Sequence, residues 1–274
     1  MPKSKTIAVA GLGLIGGSIE KSAMRAGYKV VPLQRGAVDG LDSADIVFVA
    51  MPPHAIVRWI SENQSHFKSG AVVVDVCGVK RYITAAISKM RKTSVWHFIG
   101  AHPMAGKERC GYANSSADLF DGASIILTPF PDTSATIVDE LSALLKDLGF
   151  GMVVKSTPEH HDEMIAFTSQ LCHIIASAYS NDELVSSSVG FSAGSYADMT
   201  RIATMDPDCW TVLFSENRDK LTEILDRFIG RMTDFRDAIA ADDAQAVRSM
   251  IKSGANAKEL ELERRKNGVE NVRQ

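Results

Sequence analysis

Gly11-Leu12-Gly13-Leu14-Ile15-Gly16 is the stretch that decides the fold of this chain. It follows a short apolar run, Thr6 to Ala10, which predicts a buried strand, and it opens a helix expected to run through Ser18 to Ala26. In this context the three glycines match a dinucleotide-binding turn. The first makes the tight turn, the second lets a pyrophosphate approach the backbone, and the third lets helix and strand pack closely. Free N–H groups at the helix start attract the phosphates.

Strand and helix signals alternate up to about residue 155. Continuous β-branched runs are typical of strands that are buried on both faces. Further strands are expected at 28–33, 45–50, 71–75, 95–100, 123–128 and 151–154, and helices near 54–66, 80–92 and 134–148. This order predicts an α/β fold with a Rossmann-type, doubly wound parallel sheet.

The pattern changes at Thr157-Pro158-Glu159, where a good N-cap, a first-turn proline and a first-turn acid begin a helix. From there on only helices are predicted. They are expected at 157–181, 183–189, 194–204, 207–240 (with a break) and 242–266. We therefore predict a dinucleotide-binding domain at residues 1–155 and an all-helical domain at residues 156–274.

Composition excludes several classes of function. The 274 residues carry a net charge of −3 without a cluster of Lys or Arg, which argues against nucleic-acid and anionic-membrane partners. The chain starts without an apolar signal segment and has no run long enough to span a bilayer. Its four cysteines form no Cys-x-x-Cys pair, so no metal site is expected and a reducing, cytoplasmic setting fits best.

The cofactor is expected to be NADP or NAD. An NAD site usually has a carboxylate at the end of its second strand, but here that place holds Gln34 and Arg35. Arg35 can meet a 2′-phosphate, which favours NADP, although it can equally be a solvated loop residue. The predicted cofactor contacts are Gly11, Leu12, Gly13, Leu14, Ile15, Gly16, Gln34, Arg35, Met51 and Pro52.

Two side chains are candidates for the chemistry of a hydroxyl-bearing acid. His102, which the strand prediction places just past a strand end and before Pro103, can serve as general base. The alternative is a structural turn histidine. Arg201 can clamp a carboxylate, or it can pair with Asp198 three residues earlier on a half-buried helix. Three further polar residues share one helix region and serve either substrate or helix packing: Ser169, Gln170 and His173.

At this point the chain resembles the prephenate dehydrogenase family, which includes the arogenate dehydrogenases. The resemblance extends over nearly the whole chain. It depends on the runs Gly11 to Ser18, Gly100 to Gly106, His161-Asp162 with Thr168 to His173, and Asp198 to Ala203 with Asp206-Pro207 and Trp210.

The resemblance implies an oxidative decarboxylation that forms 4-hydroxyphenylpyruvate from prephenate or tyrosine from arogenate, with hydride transfer to NAD(P). His102 would take the hydroxyl proton and Arg201 would hold a substrate carboxylate. The matching pocket positions are Ser169, His173, Gly194 and Trp210. Family members dimerise through the helical domain, so a homodimer is expected. A neutral or cationic His173 is expected to favour the keto acid, and therefore prephenate.

One departure concerns Gly78, which stands where the family has a serine that hydrogen-bonds near the reacting hydroxyl. Cys77, Lys80 or a water could supply the missing donor. Two alternatives stay open: another two-domain hydroxyacid or imine reductase, which needs no decarboxylation, and a nucleotide-binding sensor whose catalytic site has decayed.

Overall fold

Seven strands form one sheet in the part of the chain that the computed structural model describes, residues 3–34, 36–107 and 109–266. The strands are β1 (Thr6–Ala10), β2 (Lys29–Leu33), β3 (Ile46–Val49), β4 (Val72–Asp75), β5 (His97–Pro103), β6 (Ser124–Pro129) and β7 (Met152–Lys155). Their order across the sheet is β2-β1-β3-β4-β5-β6-β7. The order turns back at β1, and in open α/β sheets ligands bind at such a switch point.

The expected doubly wound sheet is confirmed, with one difference at its far edge. Strands β1 to β5 are parallel, but β6 runs antiparallel to β5, and β7 is parallel to β6. Parallel neighbours need a long crossover connection. Between β5 and β6 the described residues form only one short 3-10 turn, Tyr112–Asn114, so the chain returns along the same edge in the opposite direction.

Helices cover both faces of the sheet. They are α1 (Leu14–Arg25), α2 (Pro53–Asn63), α3 (Arg81–Met90) and α4 (Ala135–Asp147). Alternate residues of β1 enter two separate cores, Ile7 and Val9 on one face and Ala8 and Ala10 on the other. Because both faces are buried, the strand is apolar throughout instead of alternating. The crossover between β2 and β3 contains only a 3-10 turn, Leu41–Ser43.

After β7 the described residues form helices alone, as the sequence predicts. They are α5 (Pro158–Ile165), α6 (Leu171–Ser180), α7 (Gly194–Thr200), α8 (Pro207–Glu216), α9 (Arg218–Ala240) and α10 (Ala244–Lys266). The single helix expected at 157–181 is instead two helices joined by a π-helical turn, Ala166–Gln170. Such turns often occur at functional sites. The break expected inside 207–240 falls at Asn217.

The chain divides into two compact units, one ending at Leu221 and the other beginning at Thr222. The first unit contains the sheet and the helices up to α8. In the second unit the rest of α9 is followed by α10, and the turn between them includes Asp242, which has a positive φ of 51°. None of the described helices combines the length and apolar character needed to cross a bilayer.

Candidate active site

His102 lies near the carboxyl end of β5, paired with Ile126 of β6. The sequence placed this histidine just beyond the strand, and that placement was wrong by a few residues. The antiparallel ladder with β6 continues to the pair Pro103–Ile125, so hydrogen bonding extends the strand past His102. The imidazole is therefore held by a sheet backbone and not by a loop.

Behind His102 is a chain of hydrogen bonds that ends on a buried carboxylate. His102 Nδ1 is 2.9 Å from His161 Nε2, and His161 Nδ1 is 2.7 Å from Asp162 Oδ1. Both His161 and Asp162 are almost completely buried. Asp162 also accepts from the backbone N–H groups of Lys80 (2.8 Å) and Arg81 (2.9 Å) where α3 begins. The relay Asp162–His161–His102 is thus anchored on a helix N-terminus, which favours negative charge.

The hydrogen bonds of this relay fix which ring nitrogens carry protons. An ionised Asp162 can only accept, so Nδ1 of His161 must donate to it. Nε2 of a neutral His161 then accepts, and Nδ1 of His102 donates. That leaves Nε2 of His102 without a proton. A lone pair at this atom is what a general base requires.

The electrostatic surroundings keep both imidazoles neutral near pH 7. Burial is the main cause that holds the pKa of His102 well below its usual value, and the positive charge of Lys80 adds to it. Burial also lowers the pKa of His161, in spite of its bond to Asp162. Burial alone would raise the pKa of Asp162, but hydrogen bonds from His161 and from the Arg81 backbone more than offset it and lower that pKa.

A cavity of about 670 Å³ brings together side chains from the sheet and from the helices of the first unit. His102 and Arg201, the two candidates for the chemistry, both line it. The other predicted site residues on its wall are Leu14, Ile15, Gly78, Ser169, Gln170, His173 and Trp210. Arg201 begins the 3-10 turn Arg201–Thr204 after α7 and is exposed, and so does not lie on the half-buried helix that its apolar neighbours suggested.

His173 is fixed by two contacts. Its Nδ1 lies 2.9 Å from the carbonyl oxygen of Ser169, and its ring stacks on Trp210 with centroids 3.7 Å apart. A carbonyl only accepts, so Nδ1 carries the proton. Burial and the charge of Arg201 lower the pKa of His173, so the ring is neutral and its Nε2 is an acceptor. The preference of His173 for the keto acid, and so for prephenate, stays a prediction.

Gln170 is engaged inside the protein. Its Nε2 donates to the carbonyl of Leu213 at 3.0 Å, and its Oε1 accepts from Asn217 Nδ2 at 2.8 Å. Asn217, fully buried at the break between α8 and α9, also donates to the backbone oxygen of Asp162. These bonds favour the packing alternative for Gln170. They also tie the helix break to the relay behind His102.

The glycine turn has the shape that a dinucleotide requires. Gly11 has a φ of +89°, and a Cβ on Gly16 would lie 2.0 Å from the Gly11 carbonyl oxygen, so both positions require glycine. A Cβ on Gly13 would meet nothing within 4 Å, which leaves room for a phosphate at the backbone. No side chain among the described residues caps α1, so its first N–H groups are available to an anion.

Several predicted residues lie away from the cavity wall. Those in the described part of the chain are Gly11, Leu12, Gly13, Gly16, Gln34, Met51, Pro52 and Gly194. Met51 approaches the glycine turn, since its Cγ would lie 2.9 Å from a Cβ on Gly11. Gly194 begins α7. Arg35 is outside the described residues.

Sequence reasoning missed the relay. His161 and Asp162 stand out in the sequence only as part of the stretch that resembles the family, because no local pattern relates them to His102, which lies 59 residues before His161. It also missed the fully buried ion pair between Lys80 and Asp75. The adjacent pair His161-Asp162 in the short helix α5 was the one available signal.

Two family models match the chain. The model described as prephenate dehydrogenase, nucleotide-binding domain, matches residues 10–154. The model described as prephenate dehydrogenase, dimerization domain, matches residues 157–253.

Relatives and solved structures agree with these matches. The chain is 29% identical over 267 residues to the prephenate dehydrogenase of Bacillus subtilis, which covers 88% of this chain and 71% of that protein. It is 28% identical over 283 residues to the cyclohexadienyl dehydrogenase of Zymomonas mobilis, covering 93% and 95%. The crystal structure of prephenate dehydrogenase from A. aeolicus in complex with hydroxyphenyl propionate and NAD+ has a TM-score of 0.80 at 23% identity, covering 95% and 99%.

Proposed function

The chain belongs to the prephenate dehydrogenase family, and we propose that it catalyses the oxidative decarboxylation of prephenate or arogenate in tyrosine biosynthesis. The single observation that carries this proposal is that His102, backed by a buried carboxylate, lines the same cavity as Arg201. A nicotinamide dinucleotide is the cofactor, and it supplies the hydride acceptor when bound.

His102 takes up one proton from the substrate hydroxyl and later returns it to the same oxygen. As hydride leaves the ring carbon that bears the hydroxyl, Nε2 of His102 takes the hydroxyl proton, and a carbonyl forms at that carbon. The ring carboxylate then leaves as carbon dioxide, and its bonding electrons pass through the ring to the carbonyl oxygen. That oxygen becomes a phenol by taking the proton back from His102. The net products are carbon dioxide, reduced cofactor and the aromatic acid.

Asp162 makes this shuttle possible in a buried site. Protonating His102 places a positive charge beside His161, which can pass on part of that charge through its bond to Asp162. The carboxylate is held by the backbone N–H groups of Lys80 and Arg81 and stays ionised. The relay thus stabilises the imidazolium without taking the proton itself, in the way a buried aspartate supports a catalytic histidine.

Arg201 is proposed to hold a carboxylate of the substrate. A guanidinium can bind a carboxylate through two parallel hydrogen bonds, which gives both affinity and orientation. The substrate would then be fixed by His102 at its hydroxyl and by Arg201 at its acidic end. This two-point contact positions the carbon that loses hydride.

Gly78 leaves room for the serine that the family has at this position. A Cβ on Gly78 would lie 3.5 Å from Leu213 Cδ2 and 3.8 Å from His102 Cε1, which are ordinary contacts. The two side chains considered as replacements are engaged elsewhere. Lys80 pairs with Asp75, and Cys77 is buried with the pKa of its thiol raised to about 11. We therefore propose that a water occupies the serine's place.

A direct assay tests the proposal. The purified protein is mixed with prephenate or arogenate and with NAD or NADP, and both reduced cofactor and carbon dioxide are measured. We expect the two products in equal amounts. A hydroxyacid or imine reductase would turn over its substrate without carbon dioxide. The absence of turnover with both substrates and both cofactors would overturn the proposal and favour a sensor.

For the cofactor we propose NADP. The support is the lack of a carboxylate at the end of β2, where Gln34 is exposed and Arg35 follows. The measurement is the ratio of kcat/KM for NADP and NAD with the same substrate. Equal values, or a preference for NAD, would contradict the choice.

We propose a homodimer formed by the helices after residue 156, and with it a division of the chain near residue 155. Support comes from the second family model, which is described as a dimerization domain. Large apolar side chains are also exposed in this region, among them Phe191 (92%), Val189 (85%) and Leu184 (70%). Sedimentation of the purified protein at several concentrations decides the oligomeric state.

A further inference from the structure

The guanidinium of Arg81 joins the relay carboxylate to the junction between α8 and α9. Arg81 is the first residue of α3, and its side chain contacts three residues that follow β7 in the chain. Its Nε lies 3.4 Å from Asp162 Oδ2, its Nη2 donates to Asn217 Oδ1 at 3.1 Å, and its Nη1 donates to Asp219 Oδ2 at 2.7 Å. Nη2 also donates to Asp219 Oδ1. One side chain therefore contacts both the acid behind the base and an acid at the start of α9.

The guanidinium is committed to Asp219 more than to Asp162. Its two terminal nitrogens make a bidentate pair with Asp219, which is the stronger form of this contact. The distance of 3.4 Å from Nε to Asp162 Oδ2 is longer than that of an ordinary N–H···O bond. Accordingly, the pKa of Arg81 is raised chiefly by Asp219, and Asp162 is a lesser cause. Asp219 stays ionised, because Arg81 holds the pKa of this carboxyl well below its usual range.

The negative charge that remains on Asp162 decides how strongly His102 holds a proton. Oδ1 of Asp162 accepts from His161, while Oδ2 accepts from the backbone N–H of Arg81 at 2.9 Å and lies beside the guanidinium. A guanidinium paired with Asp162 alone would balance this carboxylate and leave less charge to stabilise a proton on His102. Because Asp219 balances the guanidinium from its other end, the charge of Asp162 remains available to the relay.

Asn217 keeps the guanidinium in this intermediate position. Its side chain is fully buried. Its Oδ1 accepts from Arg81, and its Nδ2 donates to the backbone oxygen of Asp162 at 2.7 Å and to Gln170 Oε1 at 2.8 Å. The guanidinium, the amide and the relay acid thus form a closed ring of contacts. A buried network with its polar groups satisfied is held in one arrangement.

Other charged and titratable groups also surround the relay. On β4 and at the start of α3, Asp75 and Lys80 pair with each other. Cys77 is buried, and its thiol, with a pKa of about 11, stays protonated. His160, on α5, is exposed. On the cavity side of His102, the charged or titratable lining side chains are Lys107, Cys110, His173, Arg201, Asp206 and Cys209. The variants proposed below leave all of these groups unchanged.

We propose that Arg81 is a positioning residue for His102, because its guanidinium, shared between Asp219 and Asp162, orients the relay carboxylate without cancelling its charge and so sets the strength of the base. This inference rests on the proposed function, in which His102 takes the hydroxyl proton. Neither Arg81 nor Asp219 lines the cavity, so both act through the relay. Removing the guanidinium should therefore strengthen the base, and removing the charge of Asp219 should weaken it.

The first test measures the acid limb of the kcat/KM profile in Asp219→Asn. The amide keeps an oxygen for Arg81, and a partly exposed ion pair adds little to stability, so the variant should fold. We expect the limb to move to lower pH by about half a unit and kcat to fall about two- to fivefold. Asp226→Asn, which changes an exposed carboxylate further along α9, is the matched control and should alter neither. An unmoved limb in Asp219→Asn would overturn the inference.

The second test separates an effect through Arg81 from a direct one. In Arg81→Gln we expect the acid limb to move to higher pH by about half a unit, because Asp162 loses the cation beside it. In the double variant Arg81→Gln/Asp219→Asn the limb should stay where Arg81→Gln places it. A further move to lower pH would show that Asp219 acts directly on His102, and a move to lower pH in Arg81→Gln itself would show a merely structural role. Either result would overturn the inference. If thermal unfolding shows that Arg81→Gln does not fold, the result with Asp219→Asn decides.

An NMR titration of the His102 ring gives a readout that does not depend on turnover. In Asp219→Asn and Arg81→Gln we expect the pKa of this ring to move in the same two directions as the acid limb. If neither prephenate nor arogenate is turned over but the pKa moves as expected, the proposed function fails while the electrostatic role of Arg81 stands. If turnover is found and the pKa stays fixed in both variants, the inference alone fails.

Discussion

The two histidines on the cavity wall are bound alike, yet the structure suits them to different work. Each uses Nδ1 for a bond inside the protein and leaves Nε2 unprotonated. His102, on the sheet side, is bonded to His161 and through it to Asp162. His173, on the helical side, is bonded to a neutral carbonyl and lies near the positive charge of Arg201.

This difference decides what a proton does at each ring. A proton that arrives at His102 is stabilised through the relay to a carboxylate, so this ring can take up and release a proton during the reaction. A proton at His173 would meet a cation and no anionic partner among its bonds, so this ring stays neutral and serves as a fixed acceptor. The partner of Nδ1, more than the imidazole itself, sets the role.

Removing the base should have the largest effect. In His102→Asn we expect kcat/KM to fall by about 10²–10⁴-fold, because the hydroxyl proton loses its acceptor. Cofactor affinity, measured by titration calorimetry, should stay nearly unchanged. His97→Asn is the matched control, since His97 is an exposed histidine at the start of the same strand. Comparable activity in the two variants would exclude His102 as the base.

Removing the negative charge at the end of the relay should have the second largest effect. In Asp162→Asn we expect kcat to fall about 100-fold, because the imidazolium at His102 loses its stabilising partner. Loss of that negative charge also lowers the pKa of His102 further, so the acid limb of the kcat/KM profile should move to lower pH. Glu159→Gln changes an exposed carboxylate of the same helix and should alter neither. A fall in kcat without movement of the acid limb would indicate a structural role.

Weakening the carboxylate clamp should affect binding more than chemistry. In Arg201→Lys we expect KM to rise about 10- to 100-fold, with a smaller change in kcat, because lysine cannot make the bidentate contact. Arg58→Lys, on the exposed side of α2, is the control. An unchanged KM in Arg201→Lys would remove this residue from the substrate site.

Introducing the family's serine at position 78 should have the smallest effect, and it should raise activity where the other changes lower it. Gly78→Ser fits without close contacts, and we expect kcat/KM to rise about three- to tenfold as a fixed hydroxyl replaces a mobile water. Gly106→Ser adds the same group elsewhere on the cavity wall, where a Cβ meets nothing within 4 Å. A loss of activity in Gly78→Ser alone would show that the open space is itself needed.

Local patterns predicted most of the fold. The glycine turn after β1 and the N-cap at Thr157, whose Oγ1 accepts from the His160 backbone, are both interactions between residues close in sequence. The reversed direction of β6 was not predicted, because an apolar strand looks the same in either direction. The π-helical turn at Ala166–Gln170 also escaped prediction, because the sequence pattern through it does not differ from that of an ordinary helix.

The sequence by itself determined the dinucleotide-binding turn, the alternation of strands and helices, the change to helices after residue 156, and the candidates His102 and Arg201. Only the tertiary structure decided that these two line one cavity, that Asp162 stands behind His102 through His161, and that His173 faces the cavity as an acceptor. The physical reason is range. Turns, caps and periodicity come from neighbours along the chain, whereas a proton's place on an imidazole depends on groups that folding brings from far away.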